Sequence, residues 1–134
     1  MEQHLCPTCQ QTLPMTKVDV IDIDKAVDAD KLTADDAFKR TYLGHGKQSS
    51  VFVFQGHAGP FKKHVHITHD EIGYVLKGSG SVTVGETMRP VKPGDVWIIP
   101  SNTPHSAEFG DPCDVLFISS PIDDPNNQDR VWLD

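Results

Sequence analysis

The 134-residue sequence has no long apolar run. No window approaches the ~18 apolar residues that suffice for a membrane-spanning helix, and the first thirty residues contain no apolar stretch of the kind found in secretory signals. Hydrophobic residues make up 37% of the chain, which is low but compatible with a β-rich globular domain. We therefore expect a soluble, cytoplasmic protein of one-domain length that has no membrane partner.

A surplus of positive charge is also missing. The chain has 12 Lys and Arg against 19 Asp and Glu, which gives a formal net charge of −7. The one basic pair that stands out is Lys62-Lys63, so no patch for a nucleic-acid backbone is evident. The sequence also lacks a Gly-rich phosphate loop and a dinucleotide-binding fingerprint. We expect no nucleic-acid partner and no nucleotide cofactor.

Cysteine is scarce, and its odd count of three excludes a disulfide framework. Cys6 and Cys9 form a C-x-x-C turn with His4 just ahead, and such a turn supplies half of a tetrahedral zinc site. The third cysteine, Cys113, is not part of a second C-x-x-C. Two interpretations stay open: a second zinc ion at Cys6 and Cys9 that is completed by ligands from elsewhere, or a terminal tail with two reduced thiols.

Histidine, in contrast, is concentrated in one short stretch. His64, His66, His69 and Glu71 lie within eight residues, and imidazole nitrogen and carboxylate oxygen suit divalent first-row metals. Successive side chains of a strand point to opposite faces, so His64 and His66 share one face of a strand over residues 62–68. Glu71 begins the next apolar run, and a neighbouring antiparallel strand returns its carboxylate to that face.

The remainder of the chain predicts an all-β fold. An alternating run at residues 18–23 indicates a strand, and Thr33 followed by early acids favours a short helix near residues 33–40. From residue 49 onward, short apolar runs alternate with Gly and Pro turns. The predicted strands are 49–55, 62–68, 71–76, 81–84, 87–91, 96–99, 106–109 and 115–119.

With these residues in place, the sequence resembles the cupin family over about residues 45 to 120. The first motif of that family is a glycine, a spacer, His-x-His, three or four residues, Glu, six residues and Gly. The matching residues here are Gly59, His64, His66, Glu71 and Gly78. The spacer between Gly59 and His64 has four residues, one fewer than is usual.

The second cupin motif follows downstream. It is a Pro-Gly-Asp turn, a proline, a short loop and a histidine, and it matches Pro93-Gly94-Asp95, Pro100 and His105. Asn102 stands where the loop usually has glycine, and Phe109 stands where the family often has Asn. The resemblance implies a double-stranded β-helix, or jelly roll, with an N-terminal extension (1–44) that carries the short helix, a cupin barrel (45–120) and a C-terminal tail (121–134). The apolar end of that tail is expected to pack on the barrel or on a partner.

The resemblance also implies one divalent metal ion (Fe, Mn, Ni or Zn) held by His64, His66, Glu71 and His105. Cupins with such sites include dioxygenases, sugar isomerases and epimerases, and lyases, and the fold does not choose among them. Dioxygenase chemistry on a small oxygen-rich molecule ranks slightly first, because three histidines and a glutamate occur in acireductone dioxygenases. The alternatives are an isomerase or lyase, a non-catalytic cupin that binds a small ligand, and a structural zinc site.

Further residues are candidates for contacts with a substrate. Glu71, His69 or Tyr74 is the candidate general base. Lys62, on the predicted face of His64 and His66, is a candidate partner for an anionic substrate, and Phe109 shares a strand face with His105. A homodimer is also expected, because small cupins commonly associate through their sheets.

Overall fold

We describe the fold from a computed structural model of the chain. The structure describes residues 2–5, 12–15, 20–56, 59–110, 112–124 and 129–133; for 2–5, 12–15, 59 and 60 the description covers the backbone. The candidate zinc ligands Cys6 and Cys9 lie outside the described residues, so that expectation stays a prediction. Cys113 is buried, and burial raises the pKa of its thiol to about 11, as expected for a protonated thiol packed in a core.

The described residues form twelve strands and one helix. In chain order they are β1 (Glu2–Leu5), β2 (Thr12–Met15), α1 (Ile23–Ala29), β3 (Phe38–His45), β4 (Ser50–Gly56), β5 (Gly59–Val65), β6 (Asp70–Lys77), β7 (Gly80–Val84), β8 (Thr87–Val91), β9 (Val96–Ile99), β10 (His105–Phe109), β11 (Cys113–Ser120) and β12 (Val131–Trp132). No described helix is both long and apolar enough to cross a membrane.

Two five-stranded antiparallel sheets build the fold. One has the order β3-β4-β11-β6-β9, and the other has the order β12-β5-β10-β7-β8. Neighbouring strands in each sheet are mostly far apart in the sequence, as expected for the jelly roll, and the predicted all-β class is confirmed. Strands β1 and β2 form a separate antiparallel pair.

The core fills the space between the sheets in two adjoining clusters. The first is aromatic and includes Phe54, Phe109 and Phe117, with ring centroids 5.6 to 6.3 Å apart for Phe54 against the other two. The second is aliphatic and consists of Val75, Val82, Val91 and Ile99. Trp97 packs against both clusters, so it joins them beneath the site described below.

The strand predicted at 18–23 is not found, because Ile23 begins helix α1. Residues 18 and 19 lie outside the described part of the chain. The Asp22 side chain accepts a hydrogen bond from the backbone N–H of Lys25 at 3.1 Å and so caps the helix. Val27, one helical turn after Ile23, packs on Leu43 and Val53. The acids that alternate with apolar residues here cap the helix and face solvent instead of lining one side of a strand.

The helix predicted near 33–40 is wrong as well. The Asp36 carboxylate accepts hydrogen bonds from the Thr33 backbone N–H and hydroxyl at 3.0 and 2.9 Å, and these bonds close a single turn. The chain then enters β3, whose residues pair with β4 from Phe38↔Gly56 to His45↔Ser50. Tertiary pairing with an available sheet edge therefore outweighs the local helix signal. The short helix of the N-terminal part lies earlier, at α1.

The strands predicted from residue 49 onward correspond to β4 through β11. The limits of β8 and β9 are as predicted, and those of the other strands shift by at most three residues; the largest shift is in β5, which ends at Val65 instead of residue 68. Strands β3 and β12 belong to the two large sheets, so the sheets extend beyond residues 45–120 in both directions. The C-terminal β12 pairs with β5 through Val131↔Val65 and Trp132↔His64.

Gly73 in β6 provides a test of this packing. A Cβ atom at Gly73 would overlap the Trp97 indole, so Gly73→Ala displaces a side chain that joins both core clusters. We expect the free energy of unfolding to fall by about 1–3 kcal/mol, measured by urea denaturation. Gly46→Ala is the control, since a Cβ there meets nothing within 4 Å. Equal stability of the two variants would contradict this description of the core.

Candidate metal centre

Three histidines meet on the inner face of the sheet that contains β5 and β10. His64 lies near the end of β5, His66 just beyond it, and His105 at the start of β10, directly opposite His64. The ring centroid of His64 lies 4.2 Å from that of His105 and 4.9 Å from that of His66, and the centroids of His66 and His105 are 5.0 Å apart. All three side chains are buried, with at most 9% of the residue exposed.

A β-bulge in β5 sets the direction of His64. His105 pairs with His64 and Ala107 pairs with Phe61, so Lys62 and Lys63 together oppose the single residue Ser106. Such an extra residue interrupts the alternation of side chains along a strand. Phe61 and His64 consequently both line the interior, although they are three residues apart.

Each of the three rings is fixed by a hydrogen bond from Nδ1 to a backbone carbonyl. His64 donates to Lys62 at 2.6 Å, His105 donates to Thr103 at 2.9 Å, and His66 donates to Asp129 at 2.6 Å. A carbonyl oxygen can only accept, so Nδ1 carries the proton, and in the neutral form of each ring Nε2 keeps its lone pair. This tautomer and orientation are those of histidines that bind a metal through Nε2.

The three histidines offer ligand atoms that all lie within 4.8 Å of one another. Nε2 of His66 and Nε2 of His105 are buried and make no hydrogen bond with any described residue. Buried polar atoms without a partner are costly, and a metal ion would satisfy them. The donor set therefore fits a divalent first-row metal, and the expected grouping of His64, His66 and His105 is confirmed.

Glu71 reaches the same point from β6 in the opposite sheet. Its Oε1 lies 3.3 Å from His66 Nε2 and 3.8 Å from His105 Nε2. Its Oε2 accepts a hydrogen bond from the Trp97 indole N–H at 3.4 Å. Burial opposes ionisation of Glu71, but the neighbouring His66 and His105 outweigh it and hold the pKa of the carboxyl below its usual value. The charged carboxylate is placed for the role of fourth ligand, which stays a prediction.

The histidines differ in their protonation. Burial lowers the pKa of His64 to about 4, which keeps this ring neutral and able to bind a metal. Burial also works against the charged form of His66, but the Glu71 carboxylate and the Asp129 carbonyl outweigh it and raise its pKa. At a pH below this raised pKa, His66 must therefore release a proton before it can bind a metal.

His69 lies beside the cluster. It falls between the two strands as the sequence indicated, yet it is 2% exposed, and its ring centroid is 4.3 Å from that of His66. His69 Nδ1 lies 3.1 Å from Asp129 Oδ2. Burial lowers the pKa of His69, although the charge of Asp123 opposes this. The site thus holds a buried histidine next to a carboxylate, adjacent to the metal ligands.

Asp129 connects the C-terminal segment to the centre. Its carboxylate accepts hydrogen bonds from Ile67 N–H at 3.0 Å, from Thr68 N–H at 2.6 Å and from the Thr68 hydroxyl at 2.7 Å. Burial raises the pKa of Asp129, but these hydrogen bonds outweigh it and the net shift is downward. The ionised carboxylate anchors the backbone carbonyl that orients His66.

The cluster lies in a cavity of about 620 Å³, a volume that includes its open mouth. Apolar rings form much of its wall, and the charged residues are on the side of the histidines. The lining comprises Arg40, Phe52, Phe54, Phe61, His64, His66, His69, Glu71, Val82, Trp97, His105, Ser106, Ala107, Phe109, Phe117, Ser119, Asp123 and Arg130.

One predicted substrate contact, Lys62, and one candidate general base, Tyr74, are placed differently. Lys62 is exposed and does not line the cavity, because the bulge in β5 takes it off the face of His64. Tyr74 is 41% exposed on the outer face of β6, opposite Val96 of β9, so it does not reach the cavity either. Phe109 is buried and lines the cavity, and its contact with a substrate stays a prediction.

Two arginines in the lining were missed from the sequence. Arg40 projects from β3, and Arg130 directly precedes β12; these strands are edge strands of the two different sheets. No local motif marks either residue, because they are ninety positions apart and meet only when both edge strands are in place.

The backbone conformation of Asn102 explains why it can stand where the cupin motif usually has glycine. Its φ is +62°, in the left-handed region that glycine and asparagine tolerate best. Its backbone N–H donates to the carbonyl of His66 at 2.6 Å. The loop before His105 therefore keeps the conformation that glycine would give and contacts the His66 backbone.

The fold and the histidine cluster together define a β-sandwich protein with a candidate metal centre. The family model for the cupin domain matches residues 50–119, just over half of the chain. The chain belongs to the cupin family.

Individual relatives are more distant. An uncharacterized protein of Methanocaldococcus jannaschii, MJ1618, is 44% identical over 45 residues, which are 34% of this chain and 36% of that protein. The chain thus matches about a third of that relative's length. The structure of KdgF from Halomonas has a TM-score of 0.62 at 26% identity and covers 67% of this chain and 84% of KdgF. The Streptomyces nucleoside dehydratase Pac13 has a TM-score of 0.62 at 16% identity, with 72% of this chain and 78% of Pac13 covered, so it shows a shared fold.

The metal assignment predicts the effect of His105→Ala. This variant loses one of the three imidazoles while the core clusters remain, so we expect most bound metal to be lost from a folded protein. Elemental analysis gives the metal content, and circular dichroism checks the fold. His45→Ala is the matched control, because His45 is not part of the cavity lining. Wild-type metal stoichiometry in His105→Ala would contradict the assignment of His105 as a metal ligand.

Asp129→Ala tests the anchoring of His66. Loss of the carboxylate releases the hydrogen bonds from Ile67 and Thr68, and the carbonyl that orients His66 becomes less fixed. We expect metal affinity to fall about 10- to 100-fold, measured by competition with a fluorescent chelator. Asp35→Ala, an exposed change, is the control. Unchanged affinity in Asp129→Ala would show that the anchor is not needed.

Proposed function

We propose that the chain is a metal-dependent cupin enzyme that transfers a proton on a small oxygen-rich molecule, in the manner of an isomerase, epimerase or lyase. The observation that carries this proposal is the pair of His69 and Asp129. His69 lines the cavity that holds the histidine cluster, and Asp129 lies behind it, with 3.1 Å between His69 Nδ1 and Asp129 Oδ2. A general acid–base group beside a metal centre supports proton transfer over purely structural metal binding.

His64, His66, His105 and Glu71 would hold the metal. When bound there, a divalent metal ion supplies Lewis-acid chemistry, since it polarises a carbonyl or stabilises an enolate. The cavity adjoining these residues leaves room for a substrate, whereas structural zinc sites are usually closed by four protein ligands. This difference supports catalysis over a structural zinc site.

His69 would move the proton. The carboxylate next to Nδ1 favours the tautomer with a proton on that nitrogen, so Nε2 is the ring nitrogen that accepts a proton from the substrate. The negative charge of Asp129, 3.1 Å from Nδ1, then stabilises the imidazolium. The near-complete burial of His69 keeps bulk water from competing for this proton.

The structural relatives support the same class of chemistry. Pac13 is a nucleoside dehydratase, and dehydration is a lyase reaction that requires acid–base groups. The shared fold therefore accommodates elimination chemistry. It does not identify the substrate of this chain, because fold and function are separable.

The second candidate function is a dioxygenase, which the sequence motifs alone favoured slightly. The geometry that favours it is the approach of Glu71 to His66 and His105, which resembles the ligand set of three histidines and a glutamate. A third candidate is a cupin that binds a small ligand without changing it. Both remain alternatives that the following experiment separates.

The experiment measures deuterium uptake from D₂O by proton NMR over a panel of small hydroxy acids, keto acids and sugars. We expect metal-loaded protein to exchange or convert at least one compound and chelator-treated protein to exchange none. His69→Gln is expected to slow this reaction by about 100-fold or more while it retains the metal. Oxygen uptake without exchange would favour the dioxygenase, and binding with neither reaction would favour the non-catalytic module.

A further inference from the structure

The cavity contains two positive charges that the proposed proton transfer does not use. Arg40 and Arg130 both line it, together with the histidine cluster. They enter from β3 and from the segment before β12, the edge strands of the two sheets. The arginines therefore lie on the side of the cavity where these edges approach each other.

Both guanidinium groups are held in place by aromatic rings. Arg40 lies 5.7 Å from the Phe38 ring centroid and 5.5 Å from that of Phe52. Arg130 lies 4.5 Å from the centroid of Trp132, whose ring packs on His64 with centroids 5.3 Å apart. Stacking of this kind orients the planar group and leaves its edge free to form hydrogen bonds.

Neither arginine has an ion-pair partner within 4.0 Å among the residues that the structure describes. The Nε of Arg40 is buried and has no hydrogen-bond partner in that part of the chain. Burial lowers the pKa of Arg40, and the positive charge of Arg130 lowers it further. Two like charges that are partly removed from water, without a direct partner, are unfavourable unless an anion joins them.

The charges of the residues that line the cavity indicate which kind of anion would bind there. Asp123 also lines the cavity and favours the charged forms of both arginines, but its Oδ1 accepts a hydrogen bond from the Asp129 N–H at 3.2 Å. Glu71 in the same lining is charged as well, but it lies against His66 and His105. Asp123 therefore offsets one of the two arginine charges, and a monoanionic carboxylate between the guanidinium groups would offset the other.

We infer that Arg40 and Arg130 form a carboxylate-binding subsite, so that the ligand of this cavity is a small hydroxy or keto acid whose oxygens face the histidine cluster. This inference rests on the proposed function because it names the substrate class of the same cavity. Guanidinium forks bind carboxylates through paired hydrogen bonds, and two of them fix the orientation of the acid.

The test uses non-reacting probes on metal-loaded, full-length protein. D-Gluconate, D-glycerate and L-lactate, which are all monoanions, are titrated by calorimetry beside D-sorbitol, the uncharged counterpart of gluconate. At least one carboxylate is expected to bind about tenfold or more tighter than sorbitol, and Arg40→Gln and Arg130→Gln should each remove about tenfold or more of that affinity. Metal content and sorbitol binding should not change.

Several controls keep the test decisive. Arg89→Gln removes the same charge from an exposed position outside the cavity lining and should bind like wild type. Arg40→Lys and Arg130→Lys retain charge and bulk if the glutamine variants do not fold, and loss of the paired hydrogen bonds should still weaken carboxylate binding. The inference would be overturned if no carboxylate of the panel bound, or if the carboxylates bound no more tightly than sorbitol. It would also be overturned if every arginine variant bound carboxylates as wild type does, or if sorbitol 6-phosphate bound more tightly than the carboxylates.

This binding test is independent of turnover. Arginine-dependent carboxylate binding by a protein that exchanges no deuterium would retain the subsite and reject the proposed function. Metal-dependent exchange that the arginine variants leave unchanged would retain the proposed function and reject the subsite.

Discussion

The candidate metal centre depends on three hydrogen bonds from Nδ1 of a histidine to a backbone carbonyl. They fix His64, His66 and His105 with Nε2 free, and without them each ring could rotate or adopt the other tautomer. The carbonyls come from three separate places: the bulge in β5, the loop before β10 and the C-terminal segment at Asp129. The bulge, the loop and the C-terminal segment are therefore parts of one site, and the sheets hold them in register.

The C-terminal segment has a larger role than its position suggests. Asp129 orients His66 through its carbonyl, lies beside His69 through its carboxylate, and anchors the turn at Thr68. Arg130 and Trp132 extend the same segment over the cavity and along His64. The proposed metal ligation, proton transfer and substrate binding thus draw on four consecutive residues, 129–132, which ties the proposed chemistry to the pairing of β12 with β5.

The sequence predicted the parts of the site that are local. His64 and His66 are two residues apart, and His105 follows a recognisable turn and loop, so the three candidate ligands could be identified before their geometry was known. Lys62 was misplaced because a bulge depends on the partner strand, which a strand's own sequence does not reveal. Arg40 and Arg130 were missed because long-range pairing alone brings them together. The helix near residues 33–40 failed for a similar reason, since an open sheet edge outweighed a local capping signal.

The most direct measurement of the central claim is X-ray absorption spectroscopy on protein reconstituted with one equivalent of Mn²⁺ or Fe²⁺. The account predicts a first shell of nitrogen and oxygen with the multiple scattering of about three imidazoles, in keeping with ligands that suit these metals. A shell that contains sulfur would place the metal at cysteines instead. A shell without imidazole scattering would contradict the assignment of His64, His66 and His105 as the ligands.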